Sequence, residues 1–146
     1  MKTKLVLTLM FLTVTGFVTA GESRSYIDGR SASDENALPF SGAVLSGNTL
    51  YISGSLGLKD GKVPQDPTEE ARLVMDSIKH NVEAAGMTME DLVSVQIFCS
   101  DVAHYQKFNA VYKTYFTGQY PARAFIGSGT LLFNARFEVM ATAVKQ

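Results

Sequence analysis

The stretch that decides the fold is DPTEEARLVMDSIKHNVEAAGMTMEDLVSVQIFC, residues 66–99. It predicts a helix that opens at Asp66, which can cap the first turn, with Pro67 at the first helical position. Glu69 stands where a reciprocal capping residue is expected, and Gly86 is placed to end the helix in a left-handed conformation. One apolar stripe recurs at helical spacing: Ala71, Val74, Met75, Ile78, Val82 and Ala85.

The end of the same stretch, Leu92 to Cys99, alternates as a strand does. We expect one face to carry Val93, Val95, Ile97 and Cys99, and the other to carry Ser94 and Gln96. A helix followed at once by a strand is the start of an α/β pairing, in which the helix covers the sheet.

Downstream, the chain repeats this arrangement. Ser100 or Asp101 is expected to cap a second helix that stops at Gly118, with Tyr105, Phe108, Tyr112, Tyr115 and Phe116 on its apolar side. A short strand over Pro121 to Ile126 and a glycine-bearing loop over Gly127 to Asn134 follow. The last strand, Arg136 to Val144, alternates Phe137, Val139, Ala141 and Ala143 against Glu138, Met140 and Thr142.

Upstream, Ser41 to Leu45 and Thr49 to Ser53 flank Gly47-Asn48, which predicts a tight β-hairpin. Residues 57–65 form a turn-rich connection, and Gly21 to Leu38 is a polar leader or irregular edge segment. The predicted order is β-β-α-β-α-β-β, an α+β domain with two helices on one face of a mixed sheet. Leu92 and Phe98 point to the other face, so oligomerisation is expected to cover it.

The composition of the chain limits the classes of function that are expected. The 146 residues carry a net charge of −1, which becomes −3 without Lys2 and Lys4, so gripping a phosphate backbone is not expected. The single cysteine, Cys99, lies in an apolar run and is expected to be a buried, inert thiol.

The first twenty residues resemble a secretory signal peptide. Two lysines precede the apolar run Leu5 to Val18, and Val18-Thr19-Ala20 suits cleavage after Ala20. The alternative is a transmembrane anchor, for which the run is short. We therefore divide the chain into a signal peptide (1–20), a leader (21–37) and a domain (38–146), and expect a periplasmic or secreted protein without membrane association after cleavage.

Two charged residues stand out inside apolar strands. Arg123 lies among small neighbours and Glu138 lies between Phe137 and Val139. A buried charge needs a partner or a ligand, so the pair is either an ordinary structural salt bridge or a site in which arginine holds a carboxylate and glutamate handles water. His80 and His104 are solitary, and no metal site or phosphate loop is expected.

From about Leu38 to Val144 the chain resembles the Rid/YjgF family. The resemblance is carried by ordered elements: Pro39-Phe40-Ser41, Ile52-Ser53-Gly54, residues 82–86 with Asp91-Leu92-Val93, Phe108 to Tyr112, Pro121-Ala122-Arg123, Phe137-Glu138-Val139 and Ala141 to Lys145. It implies a chorismate-mutase-like fold and a homotrimer with clefts between subunits.

The resemblance also implies hydrolysis of short enamine or imine acids, such as 2-aminoacrylate, to 2-oxo acids and ammonia without a cofactor. It implies that Arg123 binds the substrate carboxylate and Glu138 positions water, while Phe40, Ser53, Gly54, Asn109 and the backbone at Phe125 line the pocket. The chain departs from the family at Phe40, Ala124, Phe125 and the loop Gly129 to Leu132.

Three other functions stay open on the sequence. A trimeric binding protein for small carboxylates would use Arg123 alone, and the altered residues Phe40, Ala124 and Phe125 would suit it. A ribonuclease is opposed by the acidic net charge. A stress-related holdase has no support from the ordinary apolar content.

Overall fold

The computed structural model describes residues 24–145. A six-stranded sheet carries two helices on one face. The elements are β1 (Arg24–Ile27), β2 (Ala43–Ser46), β3 (Thr49–Leu56), α1 (Pro67–Ala84), β4 (Leu92–Cys99), α2 (Tyr105–Tyr112), β5 (Ala122–Gly127) and β6 (Phe137–Val144). Four single 3₁₀ turns accompany them: Met89–Asp91, Val102–His104, Lys113–Tyr115 and Leu132–Asn134.

The strands lie in the order β1-β2-β3-β6-β4-β5. Only β4 and β5 run parallel to each other, with α2 as their crossover, and the other neighbours are antiparallel. Strand β6 therefore sits at the centre of the mixed sheet and β5 forms one edge. The predicted α+β fold is confirmed, with β1 added at the opposite edge within the segment expected to be irregular.

Local chemistry sets the ends of α1 as predicted. The Asp66 carboxylate accepts a hydrogen bond from the Thr68 backbone N–H at 2.9 Å, and Gly86 has φ +69° after the last turn. The reciprocal cap expected at Glu69 is absent, because that carboxylate accepts a hydrogen bond from Lys59 Nζ at 2.9 Å.

The core lies between the helices and the sheet. Strand β6 contributes Phe137, Val139, Ala141 and Ala143, all buried as their alternation predicts. The prediction for the start of β4 is wrong: Leu92 is buried and Val93 is 47% exposed. The pairing of β4 with β6 gains one residue between Leu92 and Ser94, and this bulge turns Val93 outward.

The second helical region is shorter than predicted. Its α-helical part ends at Tyr112 and continues as a 3₁₀ turn, and Val111 joins Phe108 and Tyr112 among its buried residues. Tyr105 is 39% exposed rather than part of the apolar side.

A buried ion pair that the sequence reasoning missed joins α1 to the start of β6. Glu70 is fully buried and accepts hydrogen bonds from Arg136 Nη1 at 2.6 Å and from the backbone N–H groups of Arg136 and Phe137. The chain passes so close to Glu70 at Gly57 that a Cβ there would collide with the Glu70 carbonyl. Glycine at position 57 therefore permits this packing.

The sheet face opposite the helices, called here the open face, carries exposed apolar side chains. They include Tyr26, Tyr51, Ile126 and Met140, and Phe98 is half-buried there as predicted. Exposed apolar side chains on one face of a sheet suit contact with another chain. Within residues 24–145, no helix has both the length and the apolar character needed to cross a membrane. The predicted signal peptide lies outside the described residues.

Candidate functional site

Arg123 lies on the edge strand β5 and points to the helix side of the sheet. Its Nη1 donates to Asn109 Oδ1 on α2 at 2.8 Å. Its guanidinium carbon lies 4.6 Å from the ring centre of Tyr112 and 5.9 Å from that of Tyr105. The amide oxygen of Asn109 and the faces of two tyrosine rings therefore hold the guanidinium, and none of these three groups carries a negative charge.

A cavity of about 440 Å³ opens beside this arginine. We call it the arginine cavity. Its lining consists of polar and aromatic side chains without a carboxylate: Tyr105, Gln106, Asn109, Tyr112, Lys113, Tyr120 and Arg123. Because guanidinium has five N–H donors and Arg123 uses one on Asn109, several remain for an anionic ligand.

Tyr112 is the most deeply buried of these residues. It is 3% exposed, and its hydroxyl has no hydrogen-bond partner within residues 24–145. Burial raises the pKa of Tyr112 to about 12, so the hydroxyl is neutral near pH 7 and cannot neutralise Arg123. Its ring acts as a platform for the guanidinium rather than as a counter-ion.

Phe125, predicted to line the pocket, is two residues further along β5. Its ring packs edge-on against Tyr105 at 5.0 Å and against Phe108 at 5.7 Å, measured between ring centres. The side chain therefore extends the core beneath α2. Ala124 points the other way, to the open face, because successive strand residues alternate.

Three of the remaining predicted residues lie around the bulge of β3, in a group that we call the glutamate cluster: Ser53, Gly54 and Glu138. The structure does not bring Phe40 to this group, because Phe40 lines a different cavity with residues such as Arg30 and Asp34. Glu138 is half-buried on β6. Its carboxylate lies so close to Gly54 that a Cβ there would collide with it. A bulge between Ile52 and Ser55 places Gly54 at this position. Ser53 Oγ donates to the Ser41 carbonyl at 2.7 Å, which ties the segment bearing the exposed Phe40 to the same bulge.

The arginine cavity and the glutamate cluster do not meet within one chain. Arg123 on β5 pairs with Val95 of β4, and Glu138 on β6 pairs with Phe98 of the same strand β4. The backbones of Arg123 and Glu138 are therefore separated by about 10 Å across the sheet and about 10 Å along it. Their side chains also point to opposite faces of the sheet. Neither is in an ion pair in the described part of the chain, so the structural salt bridge left open by the sequence is not formed.

The histidines and the cysteine stand apart from both groups. His80 lies 3.6 Å from an Asp28 carboxylate oxygen on the surface, and His104 packs edge-on against Phe137. Cys99 is buried as predicted, and burial raises the pKa of its thiol. Between residues 24 and 145, no three His, Cys, Asp or Glu side chains come together as a metal site.

Sequence reasoning missed most of the arginine cavity. It named Asn109 and Arg123 but not Gln106, Lys113 or Tyr120. The signal was available in part, because Tyr105, Asn109 and Lys113 recur at intervals of four and share one face of a helix.

A sequence model described as Endoribonuclease L-PSP matches residues 32–145 of the chain. The chain belongs to this family. It is the Rid/YjgF family that the sequence resembles, and its members include proteins named for imine hydrolysis.

The curated relatives of the chain include proteins named 2-iminobutanoate/2-iminopropanoate deaminase. The one from Dermatophagoides farinae is 36% identical over 109 residues, covering 73% of this chain and 85% of its own. The one from Capra hircus is 36% identical over 110 residues, covering 73% and 80%.

Solved structures of the family share the fold. The E. coli YjgF gene product has a TM-score of 0.71 at 32% identity, covering 74% of this chain and 89% of its own. E. coli TdcF with bound serine has a TM-score of 0.72 at 28% identity, covering 75% and 90%.

Proposed function

We propose that the chain hydrolyses short-chain enamine and imine acids to 2-oxo acids and ammonia. The observation that carries the proposal is the state of Arg123. Its guanidinium is held by Asn109 and Tyr112, opens into a cavity and has no carboxylate partner in residues 24–145. A half-buried guanidinium that neighbouring side chains already hold in place is suited to binding the carboxylate that every 2-imino acid carries.

Glu138 supplies the chemistry that Arg123 cannot. An enamine substrate first takes a proton at carbon and becomes the iminium acid. The Glu138 carboxylate then removes a proton from water as the water oxygen bonds to C2 and the C=N electron pair moves to nitrogen, and it returns that proton to nitrogen. As the C–N bond breaks, the C2 hydroxyl oxygen forms the C=O bond and its proton passes through Glu138 to the departing ammonia. Water and the iminium acid thereby become the 2-oxo acid and ammonium. The imine carbon is already electrophilic, so no cofactor enters these steps.

We propose further that the working site lies between subunits of a homotrimer. Because the arginine cavity and the glutamate cluster lie on opposite sides of one sheet, a cleft that uses both needs Arg123 from one subunit and Glu138 from the next. The exposed apolar residues of the open face, such as Tyr51 and Met140, support burial against another copy. A head-to-tail interface of this kind closes into a ring of three when successive subunits are related by a three-fold rotation.

The first experiment measures hydrolysis of 2-iminobutyrate formed in the cuvette by an L-amino acid oxidase, with semicarbazide trapping the unreacted imine. We expect Arg123→Ala to raise KM and Glu138→Gln to lower kcat, each by at least about a hundred-fold in kcat/KM. Arg72→Ala, at an exposed arginine on α1, is the matched control and should keep full activity. Undiminished activity in either site variant would refute the assigned roles.

The second experiment tests the shared cleft. Subunits of the two inactive variants, Arg123→Ala and Glu138→Gln, are mixed, unfolded and refolded together. If each cleft takes its arginine and its glutamate from different subunits, roughly one quarter of the clefts in a random mixture are intact and activity returns. If both residues came from the same subunit, every cleft would lack one of them and the mixture would stay inactive.

We also propose export, with cleavage after Ala20, and a periplasmic or secreted location. The basic start and the apolar run Leu5 to Val18 support it. Intact-mass measurement of the protein recovered from a bacterial periplasm tests it: a mature chain beginning at Gly21 is expected, and a cytoplasmic chain that retains residues 1–20 would overturn it. The ribonuclease activity in the family's description gains no support from the acidic net charge of −1.

A further inference from the structure

Among residues 24–145, the side chains that line the arginine cavity include two cations and no anion. Lys113 and Arg123 both line it, and the other five lining residues are uncharged. The whole chain, in contrast, has a net charge of −1. Neither cation lies within ion-pair distance of a carboxylate anywhere in residues 24–145. The cavity is therefore a local positive region on a mildly acidic protein.

The two cations have different surroundings. The guanidinium of Arg123 is half-buried and fixed by Asn109 and the Tyr112 ring, so it offers a directional site. Lys113 is exposed and follows directly after α2, four residues beyond Asn109, which places it on the same side of the helix. The ammonium group of Lys113 is carried on a flexible side chain and, unlike a guanidinium, does not require its partner in one planar orientation. It can therefore pair with an anionic group at the far end of a ligand.

We propose that the arginine cavity selects imine acids with a second, distal carboxylate, held at C1 by Arg123 and at the far end by Lys113. This inference deepens the proposed function, on which its kinetic test depends. The second carboxylate takes no part in bond making, so the hydrolysis at C2 is unchanged. A volume of about 440 Å³ lies within the range of small-molecule pockets, which run from about 300 to 1,000 Å³.

An aromatic side chain is a weaker fit, although three tyrosines line the cavity. Tyr112 already carries the guanidinium on its ring, and the Tyr105 ring meets the Phe125 edge. The amide of Gln106 and the phenol groups at the rim add polar contacts rather than an apolar slot. These groups favour an anionic chain end over a large ring.

The binding test uses two stable 2-oxo acids, 2-oxoglutarate and 2-oxobutyrate, with Kd measured by calorimetry on the full-length mature protein. We expect 2-oxoglutarate to bind about five-fold more tightly at low salt, the scale of one exposed ion pair. Lys113→Met should abolish this preference, and Lys113→Glu should reverse it. Lys107→Met is the matched control, because Lys107 is also an exposed lysine on α2 but does not line the cavity.

The kinetic test compares kcat/KM for the imines of glutamate and of 2-aminobutyrate in the same variants. The ratio between the two imines should fall about five-fold in Lys113→Met and stay unchanged in Lys107→Met. Equal falls for both imines, or a ratio independent of Lys113, would overturn the dicarboxylate proposal while leaving imine hydrolysis intact. No turnover of either imine, together with Lys113-dependent binding of 2-oxoglutarate, would refute the hydrolase and keep the ligand assignment.

Discussion

Tyr112 lies in α2 and Tyr115 lies in the 3₁₀ turn that follows it. Removing the side-chain hydroxyl is expected to raise the free energy of unfolding at one of these tyrosines and to lower it at the other. The Tyr112 hydroxyl is buried without a hydrogen-bond partner among residues 24–145, whereas the Tyr115 hydroxyl lies 2.6 Å from an Asp76 carboxylate oxygen and 3.1 Å from the Arg72 carbonyl. A buried polar group without a partner costs about 1–3 kcal/mol, and a hydrogen bond to a charged group contributes about 1.5–3 kcal/mol. Removing each hydroxyl therefore has opposite consequences.

We expect Tyr112→Phe to raise the free energy of unfolding by about 1 kcal/mol and Tyr115→Phe to lower it by about 1–2 kcal/mol. Both values are measured by urea unfolding at one fixed protein concentration, because subunit association would otherwise shift the midpoint. A stability loss of about 1 kcal/mol in Tyr112→Phe would show that the hydroxyl has a partner, such as a group from a second subunit, and would refute the reasoning.

The ring of Tyr112 is tested separately. Tyr112→Leu removes the aromatic face beneath Arg123, and a cation–π contact is worth about 0.5–2 kcal/mol depending on desolvation. We expect KM for 2-iminobutyrate to rise about three-fold or more relative to Tyr112→Phe, which keeps the ring. Equal KM values in the two variants would mean that the Tyr112 ring does not help to position the guanidinium.

Three further outcomes follow from contacts elsewhere in the molecule. Glu70→Gln should lower the free energy of unfolding by about 3 kcal/mol, because Arg136 loses its buried partner; a urea titration showing less than about 1 kcal/mol would contradict this. Gly54→Ala should reduce kcat about ten- to a hundred-fold by displacing Glu138, and an unchanged kcat would remove that carboxylate from the mechanism. Backbone and hydroxyl donors hold the pKa of Glu90 below its usual 4.5, so its stabilisation is present above that pH and is lost as pH falls through the lowered pKa. Glu90→Gln should therefore flatten the acid side of the stability profile, and an unaltered profile would contradict it.

Sequence reasoning succeeded where neighbours along the chain decide the outcome. The α1 cap at Asp66, its end at Gly86 and the hairpin at Gly47-Asn48 depend on a few adjacent residues, and the structure confirms all three. The alternation of β6 was equally clear, because a central strand with one face against the core has a strict period of two.

It failed where distant parts of the chain decide. The bulge that buries Leu92 and exposes Val93, the reverse of the prediction, arises from pairing with β6, which no local pattern reveals. Glu70 looks like an ordinary acid in the first turn of a helix, yet its partner Arg136 lies 66 residues away in sequence. Most of the arginine cavity was missed for the same reason, since Lys113 and Tyr120 reach it through the packing of α2 on β5.

The sheet separates Arg123 from Glu138 within one chain, and this separation determines how the two residues could act on one substrate. Each residue belongs to a well-formed group, one on the helix side of the sheet edge and one on the open face, and no rotation of either side chain carries it through the sheet. Under the proposed function, a single subunit would therefore bind the substrate carboxylate at Arg123 but could not present Glu138 to the same molecule. In the proposed trimer, the exposed apolar residues of the open face would drive association, and the neighbouring subunit would supply the Glu138 carboxylate. Hydrolysis should consequently depend on protein concentration more steeply than carboxylate binding does, since only the first needs two copies of the chain.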